Sequence, residues 1–250
     1  MASTPTQFDS DCKLMLHCEG ADGSSTFTDS SFSNTKIVTA NSLAQINTGQ
    51  LKFGTASGFL NRGSGATISV PNGVDFQLGT MDWTFDWWSR FNTTNNSANF
   101  FGKSVTGDIA YTSLLRNVGT TFTFRHSTNG LTFKGYDWLW SPGTATWYHV
   151  AFIRSSTSLL FFVDGTQVGT SGLIGTENIY ASTGLFAFGA TNLETTPANI
   201  YDGYFDEFRF VNGTAIWTSD FTPPVAAYTS LAYVARTGGL PFQMYYQSQD

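Results

Sequence analysis

The stretch from Trp147 to Gly165 constrains the fold more than any other part of the chain. W-Y-H-V-A-F-I-R (Trp147–Arg154) and L-L-F-F-V-D-G (Leu159–Gly165) are apolar runs rich in β-branched and aromatic residues, joined by small polar residues. Such runs read as strands, and Asp164-Gly165 is a tight-turn dipeptide. Thr166-Gln167-Val168-Gly169 then opens a further strand, so an antiparallel meander is set here.

The same signal recurs along the chain. Alternating or continuous apolar runs are bounded by Gly, Asn, Ser or Pro, and no 3.6-residue pattern persists for three turns. Strands are predicted over Leu14–Cys18, Ile37–Thr39, Leu51–Phe53, Thr67–Val70, Thr84–Phe91, Asn99–Phe101, Ala110–Leu115, Thr121–His126, Leu131–Trp138, Trp147–Arg154, Ser158–Val163, Gln167–Thr170, Leu185–Gly189 and Gly203–Val211. One helical turn is predicted near Thr214–Ser219, stopped before Pro223-Pro224. Many short strands in 250 residues imply an all-β protein of two packed antiparallel sheets around one core.

Several pieces, in order, carry a family resemblance. The hairpin resembles the W-x-H-V-A-x-x-R … L-x-x-F-V-D-G-x-x-V-G core of laminin G-like domains, in the concanavalin A-like lectin and glucanase superfamily. Leu14–Ser31 looks like that group's opening strand and loop, and Gln50–Leu60 and Met81–Phe91 look like its next strands. Tyr201–Pro224 is similar to the closing segment of laminin G-like domains in tailed-phage virion proteins. The resemblance implies a two-sheet antiparallel jelly-roll sandwich over 13–229, with an N-terminal tail (1–12) and a C-terminal docking tail (230–250).

Charge narrows the partners. Only 12% of residues are charged, 16% are aromatic and the net charge is −6. With no basic cluster, nucleic acid and membrane insertion are not expected. The start of the chain lacks a basic stretch followed by an apolar one, so synthesis and release in the host cytoplasm are expected, with no signal peptide. Cys12 and Cys18, six residues apart on an extended segment, are too distant to bridge and are read as reduced thiols.

Enzymatic readings find little support in the residue pattern. Retaining glycoside hydrolysis needs paired carboxyls about 5 Å apart, and no two of Glu19, Glu177, Glu194 and Glu207 fall within one strand. Asp206 and Glu207 are adjacent and are expected to face opposite ways. His149 belongs to the resembled W-x-H-V-A strand and reads as a structural imidazole. His17 and Cys18, being adjacent, are not expected to share a metal.

Two site hypotheses remain. Tyr136, Trp138 and Trp140 alternate along one strand face, with Asp137 beside them, forming either a glycan platform or part of the core. Related domains often carry a structural calcium, which Glu19, Asp22, Asp29 and Asp206 would hold if the first and last strands adjoin; otherwise these acids cap turns.

Leu160 and Phe162 oppose Leu159, Phe161 and Val163, so the strand is apolar on both faces and needs a covering loop or a subunit. The apolar tail residues Leu231, Tyr233, Val234, Phe242, Tyr245 and Tyr246 are candidate interface residues, pointing to a homo-oligomer, a trimer or dimer. The resulting expectation is a non-enzymatic virion surface protein of a phage. It would be a capsid decoration, head-fibre or tail-accessory component, reinforcing the particle through other virion proteins or adhering weakly to host-surface glycan. A free carbohydrate-binding lectin is the alternative, and a glycoside hydrolase the third reading.

Overall fold

The computed structural model describes residues 10–32, 35–94, 96–103, 113–118, 120–190 and 198–229. The interface residues named above, Leu231, Tyr233, Val234, Phe242, Tyr245 and Tyr246, lie outside the described residues. So does part of the segment predicted as a strand over Ala110–Leu115.

In chain order the strands are β1 (Cys12–Leu16), β2 (Thr39–Asn41), β3 (Gln45–Asn47), β4 (Ser57–Leu60), β5 (Thr67–Val70), β6 (Trp83–Phe91), β7 (Ala98–Lys103), β8 (Ser113–Val118), β9 (Thr121–His126), β10 (Lys134–Leu139), β11 (Trp147–Ser155), β12 (Ser158–Val163), β13 (Thr166–Gln167), β14 (Gly172–Leu173), β15 (Phe186–Phe188) and β16 (Gly203–Asn212). They form a nine-stranded sheet, β13-β12-β11-β6-β16-β4-β3 with β1 on β16 and β14 on β12, and a seven-stranded sheet, β10-β9-β8-β7-β15-β5-β2. Every pair of strands is antiparallel among the described residues, so the fold is the all-β antiparallel sandwich the pattern predicts.

The core lies between the sheets and is aromatic. Trp83, Phe85 and Trp87 alternate along β6 and meet Phe208 and Phe210 of β16, with Phe101, Phe124 and Phe186 opposite. Phe85 stacks on Phe101 at 4.0 Å and on Phe210 at 4.2 Å. Contacts of this kind add about 0.5–1.5 kcal/mol each beyond burial.

The second face of β12 is covered from within the chain. Ala151, Ile153, Leu160 and Phe162 are buried on the outer face of the nine-stranded sheet by Ala215, Trp217 and Phe221. The covering loop, rather than a subunit, accounts for this doubly apolar strand. The segment is no helix, contrary to the turn predicted at Thr214–Ser219. Its backbone is tied to β6 instead: Thr84 Oγ1 donates to Thr214 O (3.1 Å) and accepts from Ile216 N (3.0 Å). Two 3-10 turns, Arg62–Ser64 and Val74–Phe76, occur elsewhere.

Leu51–Phe53 also departs from prediction, because its amides are used by a side chain rather than a ladder: Lys52 N and Phe53 N donate to Asp206 Oδ2 at 3.0 and 3.1 Å.

Gly165 shows how closely the covering segment lies. Its φ is +77°, and a Cβ there would stand 1.9 Å from Phe221 O. Gly165→Ala is therefore expected to destabilise the protein by about 1–3 kcal/mol through strain and overpacking. Thermal unfolding at an unchanged midpoint would contradict that close approach.

Candidate functional site

The aromatic stripe faces inward. Trp138 is only 3% exposed, contacts Phe152 at 5.4 Å and donates from Nε1 to Thr170 O at 3.0 Å. Trp140 packs against Phe122 at 4.7 Å and Tyr148 at 5.2 Å, while the Tyr136 hydroxyl donates to Leu173 O at 3.2 Å. Asp137, on the opposite face, is exposed and accepts from Thr123 Oγ1 at 2.7 Å. Tyr136, Trp138 and Trp140 thus serve the core, the second of the two readings the spacing allows, and do not form an exposed glycan platform. Alternation places residues on one face without saying which face is inside.

The four proposed calcium ligands are likewise occupied within the protein. Asp29 is buried and accepts from Met15 N, Ser31 N and Oγ, and Lys36 N at 2.9–3.2 Å. Asp22 accepts from Thr48 N at 3.0 Å, and Glu19 accepts from the Thr55 amide and hydroxyl. Asp206 holds the amides of Lys52 and Phe53. Calcium takes six to eight oxygens. Among the described residues no group of three or more His, Cys, Asp or Glu is arranged to hold a metal ion. The four do not fit a calcium cage: Asp29 caps its own turn through Ser31 N, while Glu19, Asp22 and Asp206 tie down amides of distant loops.

The richest polar constellation lies on the outer face of the nine-stranded sheet. Asp86 of β6 pairs with Arg209 of β16 through Nε at 2.8 Å and Nη2 at 3.2 Å, both side chains being fully buried. Asp86 Oδ2 also accepts from the Tyr228 hydroxyl and lies 3.4 Å from His149 Nε2. Burial alone would raise the Asp86 carboxyl, but the Arg209 guanidinium and His149 outweigh it and hold it below the usual carboxylate range. Trp217 and Phe221, stacked at 4.0 Å, both meet the His149 ring edge-on. His149 is a buried structural imidazole here, as its strand context suggests.

A bulge beside this cluster overturns one expectation. The β16–β6 register shifts between Asp206 and Arg209, and Glu207 adopts φ +50°. Phe205 and Phe208 both enter the core, leaving Asp206 and Glu207 together on the outer side rather than on opposite faces. Glu207 receives His17 Nδ1 on both oxygens (2.8 and 3.0 Å) and Tyr228 N at 2.7 Å. Burial pushes the Asp206 carboxyl up to about 7, with the neighbouring Glu207 charge adding to it against the amide bonds. Cys12 and Cys18 are free, buried thiols. Burial raises both, Cys12 to about 12, so neither supplies a thiolate nucleophile near neutral pH.

Between the exit of β1, the bulge and residues 227–228, a cavity of about 280 Å³ opens, lined by residues that include His17, Glu19, Glu207 and Tyr228. Nothing local in the sequence flags it, because its walls come from four separate segments. The signal that was available is chemical: Asp86, Glu207 and Arg209 interrupt aromatic strands, and a charge buried in such a run requires a partner.

A comparison with curated protein sequences finds no match. Among solved structures, the chain is similar to the receptor binding domain of botulinum neurotoxin C/D mosaic serotype (11% identity, TM-score 0.59, covering 82% of this chain and 49% of that one). It is also similar to the binding domain of botulinum neurotoxin DC in complex with rat synaptotagmin II (11%, TM-score 0.58, 82% and 49%). A third is a structure of botulinum neurotoxin type C, whose cell entry is dependent upon interaction with two ganglioside molecules (12%, TM-score 0.58, 82% and 49%). The chain spans about half the length of these structures, and at such identities the likeness is one of fold. Residues 62–219 match the laminin G-type family model described as Concanavalin A-like lectin/glucanases superfamily. With that match covering more than half of the chain, and a sandwich of the corresponding type, the chain belongs to the concanavalin A-like lectin/glucanases superfamily.

Proposed function

We propose that this chain is a non-enzymatic surface module of a phage virion, a capsid-decoration, head-fibre or tail-accessory protein that reinforces the particle and adheres weakly to host glycans. The observation that carries the non-enzymatic reading is the commitment of its carboxylates. Asp86, Asp206 and Glu207 are buried and filled by an arginine, backbone amides and an imidazole, and Glu19 is held by Thr55. Groups so engaged build a rigid surface, and these four do not form a free acid and nucleophile pair for glycoside hydrolysis. The virion assignment is supported by the likeness of Tyr201–Pro224 to the closing segment of phage laminin G-like domains. In this fold that segment is β16 together with the strap over the outer face of the sheet.

A free lectin is the second reading. It is favoured by the fold shared with toxin receptor-binding domains, one of them from a toxin whose cell entry is dependent upon interaction with two ganglioside molecules. Mass spectrometry of purified particles, with glycan-array binding and polysaccharide cleavage by the isolated protein, separates the readings. Stoichiometric recovery in particles without cleavage is expected. Strong array binding with no particle association would overturn the virion role in favour of the lectin, and cleavage would overturn the non-enzymatic assignment.

A further inference from the structure

We infer that Asn72-Gly73 is a self-deamidating site: in the folded protein the Gly73 amide nitrogen closes on the Asn72 side-chain carbonyl, and the loop acquires a negative charge beside Lys103.

Three Asn-Gly pairs occur in the chain, at 72–73, 129–130 and 212–213. Glycine has no Cβ to hinder its own nitrogen, so all three pairs are open to this reaction in an unfolded chain. The fold engages two of the three nucleophiles. Gly130 N donates to Ser127 Oγ at 2.8 Å, and Gly213 N donates to Asp82 O at 2.8 Å. Asn212 is buried besides, with its Nδ2 on the carbonyls of Asp75 and Gln77. Gly73 differs. It precedes the 3-10 turn Val74–Phe76 and its nitrogen makes no hydrogen bond to a described residue, while Asn72 is exposed.

The electrophile is prepared as well. Lys103 Nζ and Gln77 Nε2 both donate to Asn72 Oδ1, at 2.7 and 3.1 Å. Two donors on one oxygen stabilise the negative charge that forms there when Cγ is attacked, as an oxyanion hole does. Lys103 is only 3% exposed, so its charge acts on that oxygen with little screening by solvent. Burial lowers its ammonium to about 8, which leaves it mostly charged at neutral pH and without a lone pair to attack Cγ itself.

The reaction balances with water as the sole co-reactant. Gly73 N gives up its proton to water, the N–Cγ bond forms, the Cγ–Nδ2 bond breaks, and Nδ2 takes up a proton and leaves as ammonia. A five-membered imide results. Water then opens it at Cγ, giving aspartate, or at the main-chain carbonyl of residue 72, giving isoaspartate. Each product adds one negative charge to the loop, and the aspartate sets it on the Lys103 ammonium.

Peptide mapping by mass spectrometry, after the folded full chain has been incubated near neutral pH, tests this. Position 72 is expected to convert about tenfold faster than positions 129 and 212, and the three rates should draw level in urea, where no fold occupies the glycine nitrogens. Lys103→Met should slow position 72 by about tenfold, and Gln77→Ala should slow it too while leaving the buried lysine in place, so the test survives if Lys103→Met does not fold. Gly73 has an extended φ of −164°, and a Cβ added there meets nothing within 4 Å. Gly73→Ala is therefore expected to keep the melting temperature while its methyl slows ring closure. The proposal is overturned if position 72 has no lead in the folded protein, if its lead persists in urea, or if both donor variants convert at the wild-type rate. A permanent loss of ammonia that joins Lys103 to residue 72 would also overturn it, by making the lysine the nucleophile.

Discussion

Replacing Asp86 by alanine is expected to lower the unfolding free energy by about 3–5 kcal/mol, read as a reduced midpoint in urea unfolding followed by tryptophan fluorescence. The loss has a specific origin. Arg209 is 1% exposed, and its charge is compensated by both Asp86 oxygens, with the Tyr228 and Trp217 rings at 4.0 and 5.5 Å from the guanidinium. Removing the carboxylate takes away both of its hydrogen bonds to the guanidinium, for which the aromatic faces offer far less, and leaves the Tyr228 hydroxyl without its acceptor. The double variant Asp86→Leu/Arg209→Met should recover most of the loss, because it removes both charges of the buried pair together. A loss below about 1 kcal/mol in the single variant would mean that the Asp86–Arg209 pair is screened as a surface pair is. The strap would then not seal the outer face. A double variant no better than the single would place the cost in packing rather than in charge.

This cluster also shows where sequence reading stops. Thr121–His126 and Ser158–Val163 are predicted with the bounds the structure has, since each is a continuous apolar or alternating run closed by a turn. Gln45–Asn47 goes unrecognised as a strand, for it is short and polar and among the described residues pairs only with Ser57–Leu60 at the sheet edge. The inward direction of Tyr136, Trp138 and Trp140 is set by β10 packing over Phe152 and Phe161, which no local spacing encodes. The partners of Asp86 are 123 residues away at Arg209 and 142 residues away at Tyr228, so only the oddity of a charge in W-T-F-D-W-W hints at them. The bulge is hidden for a different reason. Glu207 adopts a left-handed conformation with no glycine or asparagine to announce it, and a simple period of two then assigns it the wrong face.

That hidden bulge has the second large consequence, a stability that declines as pH rises toward neutrality. Asp206 is fully buried, and its carboxyl moves from 3.8 to about 7, chiefly because burial disfavours the anion. The folded state therefore binds this proton more tightly than the unfolded chain does. Its contribution is complete below the unfolded value of 3.8 and is lost as pH climbs to about 7. A displacement of that size integrates to roughly 4 kcal/mol. His17, also raised, acts in the same sense from 6.5 upward, since deprotonation dissolves its ion pair with Glu207. His126, lowered chiefly by burial, acts oppositely below 6.5, and Asp86, lowered by Arg209, acts oppositely below 3.8, so the raw curve mixes several groups. The informative quantity is the difference between the wild type and Asp206→Asn, whose side chain cannot ionise. Measured by urea unfolding, that difference should change by roughly 4 kcal/mol in favour of the variant from pH 4 to pH 8, with most of the change complete by pH 7. Parallel curves for the two proteins would show that Asp206 titrates as an ordinary carboxyl. The bulge would then be wet, and the amides of Lys52 and Phe53 would be holding an anion across the whole range.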